Sequence, residues 1–340
     1  MMMYKLSIII PVYDAEQYID DCLNSIISEL NAETEVLLLD DGSKDSSLEK
    51  CRRYERANIR VLHHDNHGAS YTRNRGIAES TGQYVMFVDA DDVLLQGWQE
   101  AVFSNIGRSF DIVYFSGKLD KKDKNIKAIV DGIFGIRKEN ALTTMASPWS
   151  KIFNRNFLNI NRIAFDSNLI NGEDALFNLE AVIKCRSFEF VTRSLYKYRI
   201  HNSSSTKTFN PRFYKSNLLF LQREEKLMSE SGQFAKNEID YAINFSFSYS
   251  VYLYLFLISR IRNRKEKTQE MKKMHSKSMN QYFLRFPTTV HPEKVVQISY
   301  KLIEQRKDSQ ALIFTDCLNS VRNIRNRFRS GKNEYYFIEM

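Results

Sequence analysis

The chain has 340 residues, 43% of them hydrophobic, enough for one large buried core or a core with a smaller appended unit. A formal charge of +8, from 49 basic and 41 acidic residues, is modest and its excess lies late in the sequence; it implies a local anionic partner, and no nucleic-acid recognition motif accompanies it. Cys22, Cys51, Cys185 and Cys317 are far apart and form no C-x-x-C pair, which argues against a zinc or redox motif and for reduced thiols in a cytoplasmic setting.

The first apolar run, Leu6 to Val12, is broken by Pro11 and followed at once by Asp14 and Glu16, so it reads as a buried strand and not as a signal peptide. Asp14, with Gln17 three residues on, is expected to form a capping box for a helix whose apolar stripe is Ile19, Cys22, Leu23, Ile26, Ile27 and Leu30. Strands follow at Val36 to Leu39, Ile59 to His63 and Tyr84 to Val88, alternating with helices around Ser46 to Arg56 and Ala69 to Ser80. Such alternation implies βαβ crossovers and a doubly wound, mainly parallel α/β sheet. From about 117 to 208 the pattern is mixed, with polar loops around Asp120 to Lys127, a segment holding Trp149 and a helix from Asp174 to Lys184. Beyond that nearly everything reads as helix, so the chain is divided near Asn210 into 1–209, with halves of about 1–115 and 116–209, and an all-helical 210–340.

Ligands of parallel sheets sit at the carboxyl ends of the strands, and the polar clusters fall there. Pro11-Val12-Tyr13 follows the first strand, Asp40-Asp41-Gly42-Ser43 the second, and Asp89-Ala90-Asp91-Asp92 the fourth. Two carboxylates at i and i+2 after a buried strand suit a hard Mg²⁺ or Mn²⁺ ion, against the plainer reading of an acidic turn. A carboxylate at Asp40 or Asp41 is placed to accept from a nucleobase imide or a ribose hydroxyl, or to close an Asx turn. Tyr13 could stack on a base, and Arg73 and Arg75 could pair with diphosphate or base oxygens unless they are solvated helix residues. Glu173-Asp174 opens a helix, where a carboxylate is either a cap or a general base for a sugar hydroxyl. His63, His64 and His67 lack a second ligand set at zinc spacing, which leaves them outside the metal reading. Arg199 and His201 stand among hydroxyls in a candidate phosphate-contacting loop.

Four blocks, Ser7-Ile8-Ile9-Ile10-Pro11-Val12-Tyr13, Leu39-Asp40-Asp41-Gly42-Ser43-Lys44-Asp45-Ser46, Gly68-Ala69-Ser70-Tyr71-Thr72-Arg73-Asn74-Arg75-Gly76-Ile77 and Phe87-Val88-Asp89-Ala90-Asp91-Asp92, together resemble the inverting glycosyltransferases of family 2, with the GT-A fold. The likeness runs on through Pro148-Trp149-Ser150-Lys151-Ile152-Phe153, Gly172-Glu173-Asp174-Ala175-Leu176-Phe177 and Tyr196-Lys197-Tyr198-Arg199, to about residue 206. The resemblance implies a nucleotide-sugar half and an acceptor half within 1–209. By it Pro11, Tyr13 and Asp41 hold the base, usually uracil, with Arg73 nearby; Asp89 touches ribose or metal, Asp91 ligates the metal, and Asp174 is the catalytic base. Trp149, Lys151, Glu173, Arg199, His201 and Asp40 are secondary candidates. Tyr71-Thr72 departs from the small residue many relatives carry before the Arg, and the processive Q-x-x-R-W motif is absent, so single additions are expected. The resemblance points to bacterial surface polysaccharide or lipopolysaccharide assembly, with a glycan or lipid-linked acceptor.

A nucleotidyltransferase would be expected to carry a Gly-rich loop after the first strand, where Pro11-Val12-Tyr13-Asp14 stands, and a non-catalytic scaffold would be expected to have lost a key carboxylate. Ala242 to Ile261 is apolar but interrupted by Asn244, Ser246, Ser248, Ser250 and Ser259, which disfavours a membrane span and leaves a buried helix or an interfacial one. Basic residues flank it at Arg260, Arg262, Arg264, Lys265 and Lys267, and recur at Arg325, Arg327 and Arg329; in the interfacial reading they meet an anionic inner-membrane surface peripherally, while the buried helix is the default.

Overall fold

The computed structural model describes residues 4–116, 125–136, 145–200, 209–329 and 336–339. The chain divides into two compact units, the first running to Ser167 and then over Glu173–Ile200 with the terminal segment from Tyr336, the second made of Asn168–Gly172 and the chain between. The first contains β1 (Leu6–Val12), α1 (Ile19–Ile27), β2 (Thr34–Asp40), α2 (Ser47–Arg53), β3 (Ile59–His63), α3 (Ala69–Glu79), β4 (Tyr84–Phe87), β5 (Val93–Leu94), α4 (Trp98–Ile106), β6 (Ile112–Phe115) and α5 (Ile126–Ile133). It continues with β7 (Lys151–Asn154), α6 (Arg155–Ile160), α7 (Glu173–Lys184), β8 (Phe188–Val191), β9 (Tyr196–Ile200) and β10 (Tyr336–Glu339).

The main sheet has the order β3-β2-β1-β4-β7-β6-β8. β1 pairs in parallel with β2 and β4, and β2 with β3, while β7 runs antiparallel to both its neighbours. This is the mainly parallel α/β sheet the alternation implies. β1, β2 and β4 are covered on both faces, which is why they read as continuous apolar runs and not as alternating ones. The register sets Val12 beside Asp40 and Asp40 beside His63, so the polar clusters after these strands emerge along one edge. A smaller sheet, β10-β9-β5, is antiparallel throughout.

The stripe Ile19, Cys22, Leu23 and Ile26 is buried along α1, but the Asp14–Gln17 capping box does not form. Asp14 takes a positive φ of 47°, accepts from the Lys44 amide at 2.8 Å and donates its own amide to Ser43 Oγ at 3.1 Å. Its carboxylate joins two loops at the ligand edge, and helix α1 begins at Ile19 without a side-chain cap. α3 lies against β1 so closely that a Cβ on Gly76 would stand 2.3 Å from Ile9 Cγ2.

The second unit contains α8 (Phe213–Ser231), α9 (Lys236–Ser259), α10 (Arg264–Lys273), α11 (Lys277–Arg285), α12 (Lys294–Glu304) and α13 (Asp308–Arg329). By length and composition α9 could cross a membrane, yet 83% of its apolar window is buried in the fold, so it is the core helix of this unit. The polar residues that interrupt it are bonded internally: Ser246 to Glu224, Ser250 to Asn217, Ser248 to Asn244, and Asn244 to the Thr288 carbonyl. One departure from an all-helical 210–340 is β10, which pairs antiparallel with β9 and so returns the chain end to the first unit.

Candidate active site

The acidic turn after β4 is built from behind. Asp92 is fully buried; it accepts from the Tyr196 hydroxyl and from the Arg199 amide, each at 2.7 Å. Burial first, then the neighbouring Asp89 and Asp91, push its carboxyl up to about 8. The same Tyr196 hydroxyl accepts from the Asp89 amide at 3.0 Å, so one phenol fixes both ends of the turn. Arg199 is 1% exposed, donates Nε to the Asp91 carbonyl and a terminal nitrogen to Asp21, and lies over the Tyr18 ring. It therefore holds the turn from within. His201, its expected partner in a phosphate loop, lies outside the described residues.

Arg73 joins two regions far apart in sequence. Its guanidinium donates to Asp89 Oδ1 at 2.9 Å and to Asp174 Oδ1 at 3.1 Å, while its Nε is buried without a partner. Burial alone would disfavour its charge, but Asp174 and Asp89 outweigh that and raise its pKa. Asp174, in the first turn of α7, is about a third exposed at 32%, yet desolvation dominates and carries its carboxyl up to about 7; Arg73 opposes this, and Glu173 and Asp89 add to it. An aromatic cluster brings α7 here: Phe177 stacks on Phe165 at 3.9 Å and meets Phe87 and Phe153 edge-on, and Phe165 underlies the Arg73 guanidinium. Much of the chain's Phe content thus serves as core.

Along the same edge Asp41, 4% exposed, accepts from the His67 and Gly68 amides at 2.7 and 2.9 Å, fixing the start of the helix that carries Arg73. Gly42 is required where the two loops meet, since φ is +71° and a Cβ would approach the Asn66 amide to 2.9 Å. Asp40 accepts from His63 Nδ1 at 2.8 Å and from the Ser43 amide through Oδ2, leaving Oδ1 buried and unpartnered. Arg75 donates one terminal nitrogen to the His63 carbonyl at 3.1 Å. His64, His67 and Tyr71 form an aromatic group, with centroids 4.6 to 6.0 Å apart. Pro11 is half-buried and Tyr13 exposed at the end of β1.

Trp149 stacks on Tyr196 at 4.5 Å with an interplanar angle of 5°. Lys151 is 1% exposed, bonded to backbone carbonyls, and Glu173 opens α7 beside Asp174. Residues the sequence reading passed over are Asp92, Tyr196 and Asn178; the first two stand inside blocks already singled out, and only their burial reveals what they do.

Among the described residues no group of three or more His, Cys, Asp or Glu side chains could hold a metal ion. Asp89 and Asp91 nevertheless offer hard oxygen donors, and Mg²⁺ or Mn²⁺ is commonly bound by one or two carboxylates with substrate phosphates completing its shell. The donor chemistry fits a phosphate-completed site.

Residues 7–168 match the family described as glycosyl transferase family 2. The matched residues take in most of the main sheet and the acidic turn, and the chain is a glycosyltransferase that resembles this family. It is 27% identical over 242 residues to the putative glycosyltransferase EpsH of Bacillus subtilis, covering 65% of this chain and 70% of EpsH. It is 29% identical over 212 residues to the poly(ribitol-phosphate) beta-glucosyltransferase of Bacillus spizizenii, covering 58% of this chain and 32% of that protein. The match thus spans about a third of the longer relative's length. A crystal structure of S. aureus TarS in complex with UDP-GlcNAc superposes with a TM-score of 0.63 at 20% identity, covering 93% of this chain and 92% of that one, and shares the GT-A fold. These likenesses favour a glycosyltransferase over the nucleotidyltransferase alternative.

Proposed function

We propose that the protein transfers one sugar from a UDP-sugar to a hydroxyl of a glycan or lipid-linked acceptor in surface polysaccharide or lipopolysaccharide assembly, with inversion at the anomeric carbon. One observation carries the reading: Arg73 joins Asp89, on the acidic turn, to Asp174, at the head of α7. Asp174 then takes the acceptor proton through Oδ2, the oxygen that Arg73 does not occupy, and the acceptor oxygen attacks the anomeric carbon as nucleoside diphosphate leaves. Its raised pKa suits a base working near neutral pH. Asp91 with Asp89 would hold Mg²⁺ or Mn²⁺, which when bound neutralises charge on the diphosphate. Pro11, Tyr13 and Asp41 form the base-binding end, and Asp41, with its oxygens fixed by the His67 and Gly68 amides, is a rigid acceptor there. A relative named as a poly(ribitol-phosphate) beta-glucosyltransferase supports a polymer acceptor.

The test is a donor screen measuring nucleoside diphosphate release from UDP-, GDP- and dTDP-sugars, with Mg²⁺, with Mn²⁺ and with chelator. Release from a UDP-sugar that stops with chelator is expected; release only from GDP- or dTDP-sugars, or undiminished by chelator, overturns the donor or the metal assignment. In the same assay Asp174→Asn should lose about 10² to 10⁴ in kcat at similar donor affinity. Near-native turnover would remove Asp174 from the mechanism.

A further inference from the structure

We infer that Lys151 and Asn178 are positioning residues that hold the general base in register with the acidic turn, and that they govern the transfer step without governing donor binding. The inference rests on Asp174 as that base.

Both side chains are 1% exposed, deep in the first unit, where an ammonium and an amide are costly unless fully bonded. Between them they collect the carbonyls of three consecutive residues. Lys151 Nζ donates to Met145 O at 3.0 Å and to Ser147 O at 2.5 Å, and Asn178 Nδ2 donates to Ala146 O at 2.9 Å. The two are joined by Lys151 Nζ to Asn178 Oδ1 at 3.2 Å. Burial lowers the Lys151 pKa to about 7 while Asp174 opposes that fall, but three oxygens around Nζ match the three donors of an ammonium and favour the charged form. The Tyr114 ring lies beneath at 5.5 Å.

Asn178 connects this cluster to the base. Its Nδ2 also donates to the carbonyl of Asp174, four residues back in α7, at 2.8 Å. In the other direction, segment 145–150 ends in Ser150, whose φ is +60° and whose hydroxyl donates to Phe115 O at 2.7 Å, and it carries Trp149 onto Tyr196. Tyr196 is the phenol that fixes Asp89 and Asp92. A chain of packed contacts thus runs from the Asp174 backbone through Asn178, segment 145–150, Trp149 and Tyr196 to the acidic turn. Arg73 sets the same separation through side chains; Lys151 and Asn178 set it through backbone.

Asn178→Asp separates the two functions of this residue. It keeps an oxygen for the Lys151 ammonium and so retains a filled core, but it removes the donors to Ala146 O and Asp174 O. The kcat of transfer should fall about 10- to 100-fold, the scale on which small misplacements act. UDP affinity with Mn²⁺ by calorimetry should stay within about twofold of the parent. Native kcat overturns the inference, and so does a fall in UDP affinity in step with kcat. If Asn178→Asp fails to fold, Lys151→Met is read for the same split, with the same two overturning results. Asp174→Asn run beside them keeps the premises apart: near-native turnover there defeats the base assignment, whereas an inactive Asp174→Asn with a native Asn178→Asp defeats only the positioning role.

Discussion

The two ends of the parallel strands bury carboxylates in opposite ways. At the amino end Glu35, 1% exposed, has Oε1 enclosed by the Ser7 hydroxyl, the Thr81 amide and the Thr81 hydroxyl at 2.6, 2.6 and 2.8 Å, and the Gly82 amide closes onto Ser7 Oγ. At the carboxyl end burial and neighbouring carboxylates outweigh the donors supplied: Asp92 is pushed up to about 8 although it accepts from Tyr196 and Arg199, Asp174 is pushed up to about 7, and Asp40 leaves Oδ1 without a partner. A carboxylate surrounded by the protein's own donors fastens the fold. One short of donors keeps capacity for a substrate, at some expense to stability.

The comparison breaks if Glu35 matters to turnover or Asp174 to the fold. Glu35→Leu leaves the Thr81 amide and the Ser7 and Thr81 hydroxyls without their acceptor, each costing about 1–3 kcal/mol, so urea unfolding should show a loss of at least about 3 kcal/mol with unchanged kcat per folded molecule. For Asp174 the sign is opposite. Its carboxyl titrates near 7 when folded against the ordinary 3.8, so stability is lost as pH rises from about 4 through 7. Asp174→Asn removes that loss and should melt no lower than the parent above pH 7.

A sharper test acts on Arg73, whose charge lowers the Asp174 pKa against burial. A general base must be ionised, so kcat/KM should rise with pH along an acid limb centred near 7. Arg73→Gln should move that limb upward by about one pH unit, depressing activity at pH 7 and restoring part of it by pH 9. A pH–rate profile whose limb stays in place would separate Arg73 from the base.

The sequence made the strands legible because β1, β2 and β4 are apolar on both faces, and it made the acidic clusters legible because a parallel sheet gathers strand ends. It could not reveal the Arg73 contacts, since Asp174 lies 101 positions away and α7 reaches this edge through the packing of Phe177 on Phe165, Phe87 and Phe153. Nor could residue type distinguish an Arg that meets phosphate from Arg199, which holds the Asp91 carbonyl from within. Asp14 shows the same limit: a helix-capping signal was present, but the Lys44 amide was the stronger claimant for its carboxylate. In α9 the serines that interrupt the apolar run were visible, while the partners that make them core residues, Glu224 and Asn217, became visible only in three dimensions.

The smallest expected effect on turnover lies in the second unit, where the polar positions of α9 are bonded inward and the basic ones after it face out. Arg262, Arg264, Lys265 and Lys272 are exposed, while the side chains of Arg325, Arg327 and Arg329 lie outside the described residues. Near an anionic leaflet each such charge contributes about 1 kcal/mol, so the triple change Arg262→Glu, Arg264→Glu, Lys265→Glu should abolish flotation with phosphatidylserine vesicles at physiological salt. Turnover on a soluble acceptor should hold within about twofold, because these residues neither form the α9 core nor contact the acidic turn. Parent protein that stays at the bottom of the gradient with anionic vesicles, as with neutral ones, would assign the basic segment to solvent and leave the acceptor to be found by the sheet edge alone.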